Sequence, residues 1–239
     1  MTRLALFDLD HTLLPLDSEY EWARYLVAMG AVDGDEVAAH NRRWTEDYAA
    51  GRLDFATHAR FALGLHARHP RARLERWLAA FMRDVIEPAV TPSALALIAQ
   101  HQDAGDCCCI VTATCRFVTE PIARHLGVPH LIAVEAACNA RGEFTGALEG
   151  VPSFGAGKIS RVLQWLDTLG LDAACLDHAS FYSDSRNDIP LLERVGRPVA
   201  ANPDPALAAL AALRGWPVLR LFAGANTQDG ATIASPRLA

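Results

Sequence analysis

Short, almost unbroken apolar runs separated by helical patterns constrain this chain more than any other feature. The runs cover 4–9, 107–112, 131–135, 181–183, 198–201 and 218–221, and they read as strands buried on both faces. Between most of them, apolar residues return with a helical period. Thr91-Pro92 sets an N-cap and a first-turn proline ahead of Leu95, Ile98 and Ala99. A second helix spans 117–126 and stops at Gly127. A third, 158–169, carries Ile159, Val162, Leu163 and Leu166 on one stripe and closes at Gly170. This alternation predicts an α/β fold with a doubly wound, mostly parallel sheet.

One interval breaks the alternation. Between Leu14 and Val90 the sequence offers amphipathic helices and no strand: Trp22, Tyr25, Leu26 and Met29 mark the first, followed by 37–48, 55–65 and 74–86. A parallel crossover needs only about a dozen residues, so this stretch reads as a helical insertion with its own small core. Pro15 marks one seam, and Pro88 and Pro92 the other. The expected organisation is a core of 1–14 plus 90–239 and a helical cap of 15–89, with Trp22, Trp44 and Trp77 mostly packing the cap and one or two of them open to lining a substrate pocket. The segment 141–146 reads as a turn or small hairpin, and the stretch from Gly224 as polar and loosely held.

Composition excludes several classes. The 239 residues are 51% hydrophobic and 21% charged, the profile of an ordinary globular chain. No run approaches the ~20 apolar residues of a membrane helix, so no membrane partner is expected. Met1-Thr2-Arg3 leads straight into a strand pattern without a leader, which makes the cytoplasm the expected compartment. Cys107, Cys108 and Cys109 are consecutive, which suits neither a disulfide framework nor zinc; they read as small buried hydrophobes. With a net charge of −6 and no basic stripe, nucleic acid is not an expected partner. An anionic substrate would have to be attracted locally, by a metal or a few cations.

The first run raises a chemical question. In "LALFDLD" a greasy strand ends in Asp8 and Asp10. Strand side chains alternate, so residues two apart project to the same side, here at the carboxyl end, where open α/β sheets bind ligands. Two carboxylates this close repel unless a cation sits between them, and Mg²⁺, a hard ion that shares oxygen ligands with phosphates, is the simplest remedy. Other segment ends supply matching parts. "FYSDSRND" ends a strand in Asp184, with Asp188 four residues on, and "CIVTATCRF" ends one in Thr112 ahead of a helix N-terminus, a ready anion site. Lys158 opens the helix after "SFGAGK" and offers a point charge.

This set, in this order, resembles the haloacid dehalogenase-like (HAD) superfamily: Asp8-Leu-Asp10-His-Thr12, then Thr112, then Lys158, then Ser183-Asp184-Ser-Arg-Asn187-Asp188. The insertion after the first motif looks like a type 1 cap. "TATCRFVTEPIARHLG", "GKISRVLQWL" and "ANPDPALAALAALRGWPVL" are most similar to the phosphoserine-phosphatase-like branch. The resemblance implies a Mg²⁺-dependent phosphatase of a small phosphorylated metabolite such as phosphoserine or histidinol phosphate. Asp8 would be the nucleophile, and Asp10 the acid and then the base. The Asp8 carboxylate, the Asp10 backbone carbonyl and Asp184 would be metal ligands, Thr112 and Lys158 would hold phosphate, and Asn187 and Asp188 would be supporting residues. Asp17 has two readings: contact with a substrate ammonium, as the resemblance implies, or N-cap of a helix beginning near Ser18. Ser183 departs from the glycine common in the family. His11 occupies a variable loop position, and Arg116 reads as a surface arginine or a contact to phosphate or the substrate's tail.

Other readings fit less well. A P-loop needs glycine where Pro152 stands and Ser or Thr where Ile159 stands. A cysteine phosphatase needs cysteine six residues before arginine, and that count from Arg116 reaches Ile110. A receiver domain has no helical insertion. A silent phospho-ligand binder would usually have lost Asp8 or Asp10. A phosphomutase keeps the same site and stands as the alternative.

Overall fold

The apolar runs form seven strands among the described residues: β1 (Leu4–Phe7), β2 (Cys107–Cys115), β3 (His130–Cys138), β4 (Phe144–Glu149), β5 (Ser180–Ser183), β6 (Arg197–Ala201) and β7 (Val218–Leu219). This computed structural model describes residues 2–50 and 52–222; the stretch from Gly224 lies outside them. The sheet order is β4-β3-β2-β1-β5-β6-β7. All neighbours are parallel except the β3–β4 hairpin, whose turn, residues 139–143, overlaps the expected 141–146 region, the rest of which opens β4. β1 is central, with later strands added on either side, so the expected doubly wound sheet forms.

Alternation along the strands divides the core. Ala5, Phe7, Cys108 and Ile110 enter one apolar cluster, and Leu4, Leu6, Cys109 and Val111 the other. Burial on both faces is why these runs are apolar throughout. Adjacent cysteines thus serve opposite layers, and all six cysteines are free.

The insertion consists of α1 (Ser18–Ala28), α2 (Gly34–Ala49), α3 (Phe55–Ala67) and α4 (Arg71–Phe81), then a π-helical turn at Met82–Ile86 and the short α5 (Glu87–Ala89). Asp17 and Asp54 cap α1 and α3 through their carboxylates. Around the sheet follow α6 (Pro92–Asp103), α7 (Arg116–His125), α8 (Ala156–Thr168), α9 (Ile189–Leu192) and α10 (Pro205–Arg214). Thr91 caps α6 as its sequence predicts. The insertion is fastened to the hairpin. α3 lies against β4, the Arg71 N–H donates to Glu143 at 2.6 Å, and the Arg71 guanidinium sits 4.9 Å over the Phe144 ring. No helix among the described residues is long and apolar enough to cross a membrane.

A buried histidine within the insertion makes stability depend on pH. Trp22 Nε1–H donates to His66 Nε2 at 3.0 Å, so the His66 proton resides on Nδ1. Burial pushes its pKa down to about 4. The unfolded chain therefore protonates first, and stability is lost as pH falls from about 6.5 toward 4. The loss from this group alone is about 3 kcal/mol by pH 4. His66→Gln keeps an acceptor for Trp22 and removes the titration. Urea unfolding at pH 7 and pH 4 is expected to show a larger acid loss in the wild type than in this variant; equal losses would contradict the assignment.

Candidate active site

Register brings the expected residues to one edge. Phe7 pairs with Ile110 on β2 and with Tyr182 on β5. Asp8, Thr112 and Asp184 therefore lie within one or two residues of the same row, at the carboxyl ends of three adjacent strands. β1 itself stops at Phe7, short of the apolar run. The Asp8 N–H still donates to the Tyr182 carbonyl at 2.9 Å, and Asp10 lies in the turn beyond. β2 runs past Thr112, where the sequence suggested an end. Its pairing with β3 jumps from Val111↔Ile132 to Cys115↔Val134, so four steps on β2 match two on β3. The bulge releases Thr112, Ala113 and Thr114 from the β3 ladder, and Thr114 reaches Asp10.

Lys158 joins the two sides. Its Nζ lies 2.8 Å from Asp8 Oδ1 and 2.6 Å from Asp188 Oδ2, with all three side chains buried. Ser183 Oγ donates to the same Asp188 oxygen at 2.7 Å, so the serine that replaces a family glycine supplies a hydrogen bond. Thr12 Oγ1 donates to Asp184 Oδ1 and accepts from the Asp184 N–H, both at 3.0 Å. Asp10 accepts from the Ser18 N–H at 2.9 Å and from Thr114 Oγ1 at 2.7 Å. Thr112 Oγ1 accepts from the Thr114 N–H at 3.1 Å.

Lysine placement depends on a glycine. A Cβ on Gly157 would fall 2.3 Å from the Pro152 carbonyl oxygen, in the loop that leads into α8. Gly157→Ala is expected to cost about 1–3 kcal/mol by overpacking and to lower activity by displacing Lys158. Urea unfolding and kcat together test this; an alanine variant with unchanged stability and unchanged kcat contradicts it.

The electrostatics share one cause: a single lysine faces an excess of carboxylate. Burial works against the Lys158 charge, but Asp188 and Asp8 outweigh it and hold the ammonium above the usual lysine range. Burial pushes Asp188 up to about 6 despite Lys158. Burial and the Asp8 charge hold Asp184 well above the usual carboxylate range. Asp10 is pushed up to about 8 by burial and then by the Asp17 charge, so it carries a proton at neutral pH. Fully ionised, Asp8, Asp184 and Asp188 against Lys158 would carry a surplus of two negative charges, which a divalent cation would offset. Among the described residues no three His, Cys, Asp or Glu side chains converge as a metal cluster. The Asp10 carboxyl is engaged by Ser18 and Thr114, so the Asp8 and Asp184 carboxylates with the Asp10 backbone carbonyl would be the donor set. Hard oxygen donors of this kind fit Mg²⁺, which keeps several waters and shares its shell with phosphate.

The remaining expected residues divide. Asn187 lies in the 3-10 turn Arg186–Asp188 and gives its backbone N–H to Ser185. The Asp17 carboxylate accepts from the Tyr20 N–H at 2.8 Å, which is the N-cap reading, and its charge also reaches Asp10. Arg116 is half-buried, bound to Glu135 at 2.9 Å and to the Leu131 carbonyl. His11 is exposed, with φ 57 and its carbonyl held by Asn202. Thr114 and the Ser18 N–H are contributors the sequence did not single out, and Ser183, noted there only as a departure from glycine, is a third. The only signal was in "TAT", where a second hydroxyl follows Thr112 at strand spacing.

A parallel sheet with acids at the ends of β1 and β5, and a lysine on a helix reaching between them, defines a class. The haloacid dehalogenase-like hydrolase family matches residues 5–193, and the chain belongs to that family. It is 38% identical over 219 residues to a histidinol-phosphatase of Neisseria meningitidis serogroup C (strain 8013), covering 92% of this chain and 99% of the relative. A solved structure from Bordetella pertussis Tohama I, described as a protein with unknown function, is 51% identical with a TM-score of 0.87, covering 93% of this chain and 100% of that one. A substrate-bound phosphoserine phosphatase is 20% identical with a TM-score of 0.66, covering 92% and 93%, and shares the fold. The chain is an enzyme, a phosphatase of this family.

Proposed function

We propose that the chain hydrolyses a small phosphomonoester in two steps through Asp8. The observation that carries this is Lys158 Nζ held between Asp8 and Asp188 at the carboxyl edge of the sheet. Asp8 attacks phosphorus in line and forms an aspartyl ester. Asp10, oriented by Ser18 and Thr114, gives its proton to the departing alkoxide and then takes one from the water that cleaves the ester. Thr112 and Lys158 hold the phosphoryl oxygens, Asp188 fixes Lys158, and Asn187 supports the turn that carries Asp188. Mg²⁺, held by the Asp8 and Asp184 carboxylates and the Asp10 carbonyl, would neutralise the charge of the transferring group.

Histidinol phosphate and phosphoserine are the candidate substrates, and a lysophospholipid phosphate is a more distant one. Both candidates carry an ammonium, which Asp17 would meet. Residues 15–89 act as the cap that closes over the site and chooses the substrate, and the cytoplasm is the proposed compartment. The relative named histidinol-phosphatase supports the first substrate. A phosphate-release screen over metabolite phosphomonoesters, with Mg²⁺ and with a chelator, tests the reading. Release is expected only with the metal. Isomerisation of a phosphate ester without release would show a phosphomutase instead.

A further inference from the structure

The Ser18 N–H binds Asp10, while the residues on either side of it, Asp17 and Glu19, line a neighbouring cavity among α1, α2 and α3. The cavity measures about 40 Å³, more than the roughly 10–15 Å³ that one ordered water takes. Its walls are flat. Trp44 stacks on His58 at 3.8 Å and 22°, and His40 stacks on Phe61 at 3.7 Å and 11°. Glu19 Oε2 lies 2.9 Å from His58 Nε2, and His58 Nδ1 lies 3.1 Å from His40 Nε2.

Two features say what this cavity takes. His66, only 2% exposed, also lines it. Its Nε2 is occupied by Trp22, and its Nδ1, which bears the proton, has no hydrogen-bond partner. A buried N–H without an acceptor is costly unless something brings one. The second feature is charge. Among the described residues lining the cavity there are two carboxylates, Asp17 and Glu19, and no lysine or arginine.

We infer that this cavity is the subsite for the leaving alcohol, and that it selects an alcohol carrying an ammonium and a flat, imidazole-type heterocycle over one carrying an ammonium and a carboxylate. The inference rests on the phosphatase reading above and deepens it. The ring lies against the aromatic walls, and its unprotonated nitrogen accepts from His66 Nδ1–H. The ring N–H faces Glu19, and the ammonium faces Asp17, whose charge reaches both Asp10 and His58. A carboxylate on the alcohol would meet Asp17 and Glu19 with only His58, already paired to Glu19, to offset them, and like charge rejects it. By this chemistry histidinol phosphate fits, and phosphoserine does not.

The test compares kcat/KM for phosphate release from histidinol phosphate, phosphoethanolamine and phosphoserine, with p-nitrophenyl phosphate alongside. The wild type is expected to rank them in that order, with about 100-fold between the first two, because a site built to hydrogen-bond a group discriminates strongly against its absence. His66→Gln keeps the Trp22 acceptor and should shrink the histidinol phosphate preference by about tenfold or more, mainly through KM. Glu19→Gln should narrow the gap between histidinol phosphate and phosphoserine. Thermal melts confirm that each variant is folded. A wild type that prefers phosphoserine, or releases phosphate only from p-nitrophenyl phosphate, overturns the inference and leaves the phosphatase reading intact. Unchanged ratios in both folded variants also overturn it. No release from any of the four esters sinks the phosphatase reading itself.

Discussion

Asp8→Asn is expected to lower phosphate release by at least about 10⁴-fold while the protein stays folded, because loss of a nucleophile removes the whole covalent route. The fold should not suffer, and the reason lies in the charge count. Asp8 is one of three carboxylates near a single lysine, and Lys158 keeps Asp188 at 2.6 Å when Asp8 is neutralised. The asparagine amide oxygen can still accept from the ammonium. Thermal melting of the variant should therefore match or exceed that of the wild type. A folded variant that retains more than about 1% of wild-type kcat would show that Asp8 is not the nucleophile.

Lys158→Met should do the opposite, harming stability as well as activity. The methionine fills similar volume but leaves Asp8 and Asp188 buried without their cation. Removing one partner from a buried ion pair costs about 3–5 kcal/mol. The cost depends on pH in a definite direction. Asp188 and Asp184 already bind protons more readily in the fold than in the unfolded chain. A group with a raised folded pKa favours the fold as pH falls, and without Lys158 that bias grows. Urea unfolding of the variant should show its largest deficit against the wild type near pH 8 and a smaller one near pH 5. A deficit equal at both pH values would mean that the lysine stabilises by packing and not by charge.

The readable part of this molecule was the part written in local pattern. Leu4, Leu6, Cys109 and Val111 read as buried strand because both faces of the sheet are covered, and the insertion helices read from their apolar period. Asp8, Asp184 and Lys158 were legible because strand and helix ends concentrate chemistry, and the resemblance put them in order. The β2 bulge was not legible. Thr114 looks like an ordinary strand threonine, and only the shifted pairing with β3 frees it to hold Asp10. Ser183 reads in the sequence only as a departure from a family glycine, because its bond to Asp188 exists only once β5 and the following turn are folded. α10 carries its own local signal, Asp204 as cap and Pro205 in the first turn. The seating of the insertion on the hairpin rests on Arg71 and Glu143, 72 residues apart, a contact no local pattern encodes.

The central claim is that phosphorus is carried on one side chain between the alcohol and water. Rapid acid quenching of the enzyme during turnover, followed by peptide mass spectrometry, reads this directly. The account predicts a phosphoryl group on the peptide containing Asp8, absent in Asp8→Asn and chased away by unlabelled substrate. A phosphoryl group found on a different residue, or single-turnover phosphate release with no phosphoryl group on the Asp8 peptide at any quench time, would contradict it.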